Sequence, residues 1–229
     1  AIAAANSIRP AFVVMGGDMI DDLASEAQIE TVLRITSELD SEITMFWVPG
    51  NHDIAHDTVH PTPHSIEKYR EIFGPDYYAF ERGDTRFLVL NTIVLDSPDQ
   101  AGGELDEQIA WLEWEIERAI ERDRHVVLFG HHPLFVAHPE EEDTYWNLPR
   151  ERRAELLQMI RRAGIKNAFA GHWHRNSIAF DGSFEMVTSG PVGYPLGDDP
   201  SGFRLVTVEG GHIEHWYRPL RDDQDKGAE

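Results

Sequence analysis

Ile165-Lys166-Asn167-Ala168-Phe169-Ala170-Gly171-His172-Trp173-His174 decides how this chain is read. The run from Ile165 to Ala170 has the length and apolar character of a short buried strand. It leads into two histidines spaced two apart. In extended chain, residues i and i+2 project to one side, roughly 6.6 Å apart at Cα. Two imidazoles so placed can converge on two ions roughly 3.5–4 Å apart, the spacing of a two-metal hydrolytic centre. A lone His-x-His also occurs on surfaces and in cores, so its weight depends on what the other strand ends carry.

Three other apolar runs end in matching groups. Phe12–Met15 runs into Gly16-Gly17-Asp18, Ile43–Val48 into Pro49-Gly50-Asn51-His52-Asp53, and His125–Phe129 into Gly130-His131-His132-Pro133. Open α/β sheets place ligands beyond the carboxyl ends of their strands. Asp18 can offer both carboxylate oxygens to a metal pair; it can equally cap a helix. Asn51 supplies a neutral amide oxygen, or serves as a turn residue, although a turn leaves His52-Asp53 unexplained. His52 is placed to meet a substrate oxygen or leaving group, and a carboxylate such as Asp21 could orient its ring and raise its pKa. His131 reads as a ligand, His132 as its support or as packing. Arg175 has two open readings, contact with a phosphate and a surface salt bridge. His56, His60, His64, His125, His138, His212 and His215 have no strand-end placement and read as solvated or structural.

The 229 residues form one domain over 1–220, followed by a polar tail, 221–229, expected to be disordered. A net charge of −21 argues against nucleic-acid backbone and anionic membranes as partners. Bound metal would invert the field that such a chain presents to phosphate. With no cysteine, disulfides, thiol catalysis and Cys-ligated zinc are excluded. The same absence fits a reducing compartment and a cytoplasmic location.

The periodicity predicts helices over the alanine-rich start, after an N-cap at Asp22, around Ser65–Phe73, through Leu105–Ile120 and from Pro149 to Ala163. Asn91–Gly103 reads as loop, as do Ile54–Pro63 and Leu134–Leu148. Gly83-Asp84 and Gly210-Gly211 mark hairpins. Helical crossovers imply parallel strands in the first two-thirds, and the β-rich end implies a second, more antiparallel sheet.

Gly17-Asp18-Met19-Ile20-Asp21, Gly50-Asn51-His52-Asp53, Gly130-His131-His132-Pro133 and Gly171-His172-Trp173-His174, in this order, resemble the metallophosphoesterases of the calcineurin-like superfamily. Tyr145-Trp146-Asn147-Leu148 and the His172–Asn176 stretch look like its calcineurin-like phosphoesterase domain-containing protein 1 branch, a Ser/Thr protein phosphatase branch. The resemblance implies an α/β, four-layer αββα sandwich of two mixed β-sheets. It also implies hydrolysis of a phosphomonoester or phosphodiester by a metal-bound hydroxide at a dinuclear centre of Mn, Fe, Zn, Mg or Ni. Carried over by residue, Asp18 bridges the metals, Asn51, His131 and His172 complete one site, and His174 belongs to the other. His52, backed by Asp21, acts on the phosphate or leaving group, and Asn51, His52 and Arg175 meet substrate.

The family's first block, Asp-x-His on the first strand, is absent, because only seventeen residues precede Asp18. The expectation is therefore a domain lacking its first strand and a second metal left with Asp18 and His174. The gap would be filled by a homodimer or strand exchange, or the chain is a fragment. Two alternatives follow from the same absence: a single-metal or weakly active phosphoesterase, and a non-catalytic scaffold or binding protein on this fold.

Overall fold

The computed structural model describes residues 1–55 and 60–220; His56 and the polar tail lie outside the described residues. Its centre is a six-stranded sheet with order β3-β4-β5-β6-β8-β7. The strands are β3 (Tyr78–Arg82), β4 (Thr85–Val89), β5 (His125–Phe129), β6 (Asn167–Ala170), β7 (Ser177–Asp181) and β8 (Phe184–Thr188). β4, β5, β6 and β8 run parallel, while β3 and β7 are antiparallel edges. Two separate two-stranded ladders complete the β structure: parallel β1 (Phe12–Met15) with β2 (Thr44–Trp47), and the hairpin β9 (Gly202–Glu209) with β10 (His212–Pro219).

Side-chain alternation sends the two faces of the large sheet into different cores. Phe87, Val127, Phe169 and Val187 form one face, and Phe12 of β1, Val208 of β9 and Ile213 of β10 pack on it. Both small ladders therefore share one layer. Phenylalanines bind the β1–β2 ladder down: Phe46 stacks on Phe80 at 3.6 Å, and Phe12 meets Phe87 edge-on at 5.2 Å. Such pairs add about 0.5–1.5 kcal/mol each beyond the area they bury. Leu88, Leu128, Ala168 and Met186 face the other way, against Leu112 and Ile116 of α6 (Glu104–Glu121) and Leu156, Leu157 and Ile160 of α7 (Arg150–Ala163).

The outermost layer is α2 (Glu26–Thr36) and α4 (Pro63–Phe73), which follow the short N-terminal α1 (Ile2–Ile8) in sequence. Ile66, Tyr69 and Phe73 of α4 join Trp47 and the α2 residues Ile29 and Val32 in a separate cluster. The layers thus run helix, sheet, ladders, helix, and the expected αββα architecture is present.

Four expectations are corrected. Ser25, not Asp22, caps α2; Asp22 Oδ1 accepts the Ala24 amide at 2.8 Å and closes a turn before the helix. Asn51–Ile54 is a short helix, α3, rather than the start of a loop. Asn91–Gly103 contains α5 (Thr92–Asp96) and a 3-10 turn, Pro98–Gln100, because the Asn91 side chain accepts the Ile93 and Val94 amides. The β-rich end does not form one second sheet: β7 and β8 extend the large sheet, and only β9–β10 sit in the other layer.

Candidate metal centre

The chain turns at the carboxyl ends of β1, β2, β5 and β6 bring the four sequence clusters to one place. After β1, Gly17 adopts φ 96°. A Cβ there would lie 2.4 Å from His131 Nδ1 and 2.9 Å from the Gly50 backbone. A Cβ on Gly50 would come within 2.1 Å of Asp18 Oδ1. Both glycines are required by close approach, and they let Asp18 meet residues from two other strands.

Asp53, fully buried, organises this corner. Oδ2 accepts the Asp18 and Gly50 amides, each at 2.8 Å. Oδ1 accepts those of Met19 at 2.9 Å and Ile20 at 3.2 Å. Burial and the nearby Asp18 charge push its carboxyl up to about 6, against the pull of those amides. Sequence reading assigned Asp53 no role. Its signal was its place in Gly50-Asn51-His52-Asp53, three residues into α3, where a carboxylate commonly reaches back to the preceding backbone.

Asp18, His131 and His172 each offer a ligand atom, all within 4.8 Å of one another. Main-chain carbonyls fix the tautomers of both rings. His131 Nδ1–H donates to Gly16 O at 2.7 Å, and His172 Nε2–H donates to Tyr145 O at 2.8 Å. His131 Nε2 and His172 Nδ1 are left 3.2 Å apart, with Asp18 Oδ2 3.0 Å from the former. Three lone-pair donors converging on one point fit a divalent cation bound through N and O. Burial would lower the His131 pKa, but the Asp18 carboxylate raises it. Burial would likewise raise Asp18, yet the charge and hydrogen bond of His131 and the His52 amide hold it well below the usual carboxylate range. His172 is pushed down to about 3 by burial and by the charge on His131.

Asp18, His172 and His174 all have positive φ, at 54°, 59° and 54°. A non-glycine residue held there costs on the order of 1–3 kcal/mol and is concentrated at functional sites. Asn51 borders the cluster, its Nδ2 donating to the Tyr145 hydroxyl at 3.4 Å. His174 is not within the three-residue ligand set. Its buried Nδ1 has no hydrogen-bond partner among the described residues, and its charge bears on His172. His132 is buried, its ring centroid 4.0 Å from that of His172. His52 Nδ1 lies 3.3 Å from Asp21 Oδ1, and its own amide donates to Asp18 Oδ1 at 3.0 Å. Arg175 is drawn elsewhere: Nε donates to Leu196 O, and the guanidinium lies 5.6 Å from the Trp173 ring centroid. His215 is structural, 3.3 Å from Glu185.

A family model described as calcineurin-like phosphoesterase matches residues 2–176. The chain belongs to the calcineurin-like phosphoesterase family. It is 35% identical over 236 residues to the serine/threonine-protein phosphatase CPPED1 of Danio rerio, an alignment spanning 100% of this chain and 75% of that protein. Against the human CPPED1 it is 34% identical over 237 residues, spanning 100% and 74%. In fold it is similar to a dimetal phosphatase from Danio rerio, with TM-score 0.56 and 18% identity over 82% of this chain and 74% of that one. It is also similar to GAP50, the anchor in the inner membrane complex of Plasmodium, with TM-score 0.63 and 14% identity over 94% and 76%. The αββα architecture is the metallo-dependent phosphatase fold. This phosphoesterase is a metal-dependent phosphoric ester hydrolase of the CPPED1 branch. No helix among the described residues is long and apolar enough to cross a membrane.

Proposed function

We propose that the chain hydrolyses phosphomonoesters, with phosphoserine and phosphothreonine in peptides as the substrate class, at a centre built on Asp18, His131 and His172. The convergence of these three donors within 4.8 Å carries the reading; the substrate class rests on the CPPED1 relatives, which are serine/threonine-protein phosphatases. Asp18, His131, His172 and the Asn51 amide oxygen would hold a divalent ion. When bound, that ion supplies charge to stabilise the phosphoryl transition state and acidifies water. The residues around it do the rest. Fixed tautomers keep the His131 and His172 lone pairs turned inward. The Asp53 amide network keeps Asp18 in its strained backbone well. His52, oriented by Asp21, delivers a proton to the leaving oxygen.

A second reading is favoured by one observation: His174 stands outside the three-residue set. Asp18 and His174 would then share a weaker second ion, and the centre works with one tight ion. Metal analysis and calorimetric manganese titration separate the two stoichiometries. Manganese-dependent turnover of p-nitrophenyl phosphate and of a phosphothreonine peptide, lost in Asp18→Asn and His131→Gln, is the expected result. Equal turnover by those variants and the parent would remove the site from the reaction.

A further inference from the structure

We propose that Arg204 binds an acidic side chain of the substrate peptide, a few residues from the phosphorylated one, in a cleft between β7 and β10; the inference rests on the phosphopeptide reading above. The cleft has a volume of about 460 Å³ and is lined by Asn176, Ile178 of β7, Trp216 and Tyr217 of β10, and the Arg204 side chain. Arg204 Nε donates to Ser189 Oγ at 2.9 Å, Nη1 to His215 Nδ1 at 2.9 Å and Nη2 to Asn176 Oδ1 at 2.8 Å. All three acceptors are neutral. A guanidinium carries five N–H groups, so these bonds leave two of them for a ligand. The Tyr217 ring, its centroid 5.9 Å from Arg204 Cζ, adds a cation–π contact but no counter-charge. Two nearby carboxylates serve other donors. Glu185 accepts Asn167 Nδ2 at 2.8 Å and faces His215 Nε2 at 3.3 Å, and Asp199 accepts the Asn176 amide at 2.8 Å. Burial outweighs the Tyr217, Glu185 and Asp199 charges and holds the Arg204 pKa below its ordinary value.

The position suits a peptide held at the metal centre. Asn176 follows His174 by two residues, which keeps their Cα atoms within about 7 Å of each other. One loop borders both: the Leu196 amide donates to His174 O at 3.0 Å, and Asp199 holds Asn176. An extended peptide rises about 3.3 Å per residue, so roughly two to four residues span the interval. Ile178 and Trp216, each half exposed, give the peptide apolar walls. A carboxylate brings only acceptors, and it brings the negative charge that the Arg204 acceptors lack. The net charge of −21 does not forbid it. Exposed charges more than roughly 8 Å away are screened at physiological salt, so a cation inside a cleft decides locally. The three bonds also hold Arg204 in place beforehand, which limits the ordering cost on binding.

The test uses manganese-loaded protein and a series of phosphothreonine peptides, alanine elsewhere, with glutamate or glutamine placed singly at each of the four positions on either side. A hydrogen bond to a charged partner in a half-open cleft predicts that kcat/KM for the best glutamate peptide exceeds that of its glutamine counterpart about 5- to 30-fold, through KM. The ratio should shrink at high salt. In Arg204→Gln it should fall to about one, and Arg204→Lys should retain part of it. Ile178→Glu tests the cleft without touching the Arg204 hydrogen bonds: a carboxylate on the exposed wall should occupy the cation and bring the ratio to one or below, even if Arg204→Gln fails to fold. Glutamate and glutamine peptides hydrolysed within about twofold of each other at every position overturn the inference and leave the phosphoesterase reading intact. A preference that survives in the folded variants overturns it as well, by placing the cation elsewhere. A parent protein that hydrolyses p-nitrophenyl phosphate but none of the peptides overturns the inference together with the substrate class. Absence of manganese-dependent turnover of either overturns the inference and the phosphoesterase reading together.

Discussion

The two oxygens of Asp53 divide four main-chain amides between them, two on each. An amide in its place keeps one accepting oxygen and turns an NH2 towards two buried N–H groups. Asp53→Asn should therefore cost about 2–5 kcal/mol, since stranded buried donors lose their full desolvation term. Thermal unfolding should show a drop of roughly 5–15 °C, and manganese affinity should fall because Asp18 loses its anchor. A melting point within a degree of the parent would show that the corner does not depend on Asp53. The His52–Asp21 contact makes a separate claim at this scale. His52→Ala should lower kcat by about 10²-fold or more at unchanged metal content, and Asp21→Asn by less. Asp21 is largely exposed, so its substitution should not disturb folding.

At the level of elements, the site is a meeting of strand ends held by short connecting pieces. α5 is the clearest case. Thr92, at its start, accepts the amides of His131 and His132 through Oγ1, at 3.1 and 2.9 Å, so a helix from the β4 side fixes the loop after β5. The segment from Leu134 to Leu148 is braced from within by Glu141. Burial alone would raise this carboxyl, but the Asn147 side chain and three amides hold it below its ordinary value. Glu141→Ala should release that segment without unfolding α7. The expected outcome is faster amide hydrogen exchange confined to residues 136–147 and a several-fold higher KM for p-nitrophenyl phosphate. Unchanged exchange there would show that Arg153 and the His172–Tyr145 contact suffice.

For the molecule as a whole, burial of uncharged histidine at the layer junction links stability to pH. His132 is held well below 6.5, chiefly by burial and then by the charges of His172 and His131. The unfolded chain takes up a proton below 6.5 that the fold refuses, so this contribution is complete above pH 6.5 and is lost as pH falls. Its slope is about 1.4 kcal/mol per pH unit. His132→Phe keeps a ring in place and removes the titration. In metal-free protein, urea unfolding at pH 7 and pH 5 should therefore bring the variant's stability closer to, or above, that of the parent at the lower pH, by about 2 kcal/mol relative to pH 7. Parallel shifts of the two proteins would place the acid sensitivity elsewhere. Asp53 works in the opposite direction: its raised carboxyl is destabilising while ionised and gains stability as pH falls from about 6 towards its ordinary value. The single substitution, compared with its parent, removes that background.

Local physics made much of this legible in the chain itself. Apolar runs of strand length ending in Asp18, Asn51, His131 and His172 gave away the α/β class and pointed to candidate ligands, of which the fold brings Asp18, His131 and His172 within 4.8 Å of one another. Gly164 marked the end of α7 for the same reason: its positive φ suits glycine. Long-range contacts decided the rest. Nothing near Asp53 in sequence tells that its oxygens collect amides from the β1 turn, more than thirty residues away. α5 was hidden because its cap is the Asn91 side chain, whose Nδ2 donates to Asp76 while Gln108 holds the Asn91 main chain. β7–β8 and β9–β10 carry similar hairpin signals, and only packing sent one to the large sheet and the other to the opposite layer. His172 and His174 look alike in the sequence. The fold separates them, since His172 reaches both His131 and the Tyr145 carbonyl while His174 stays outside that cluster.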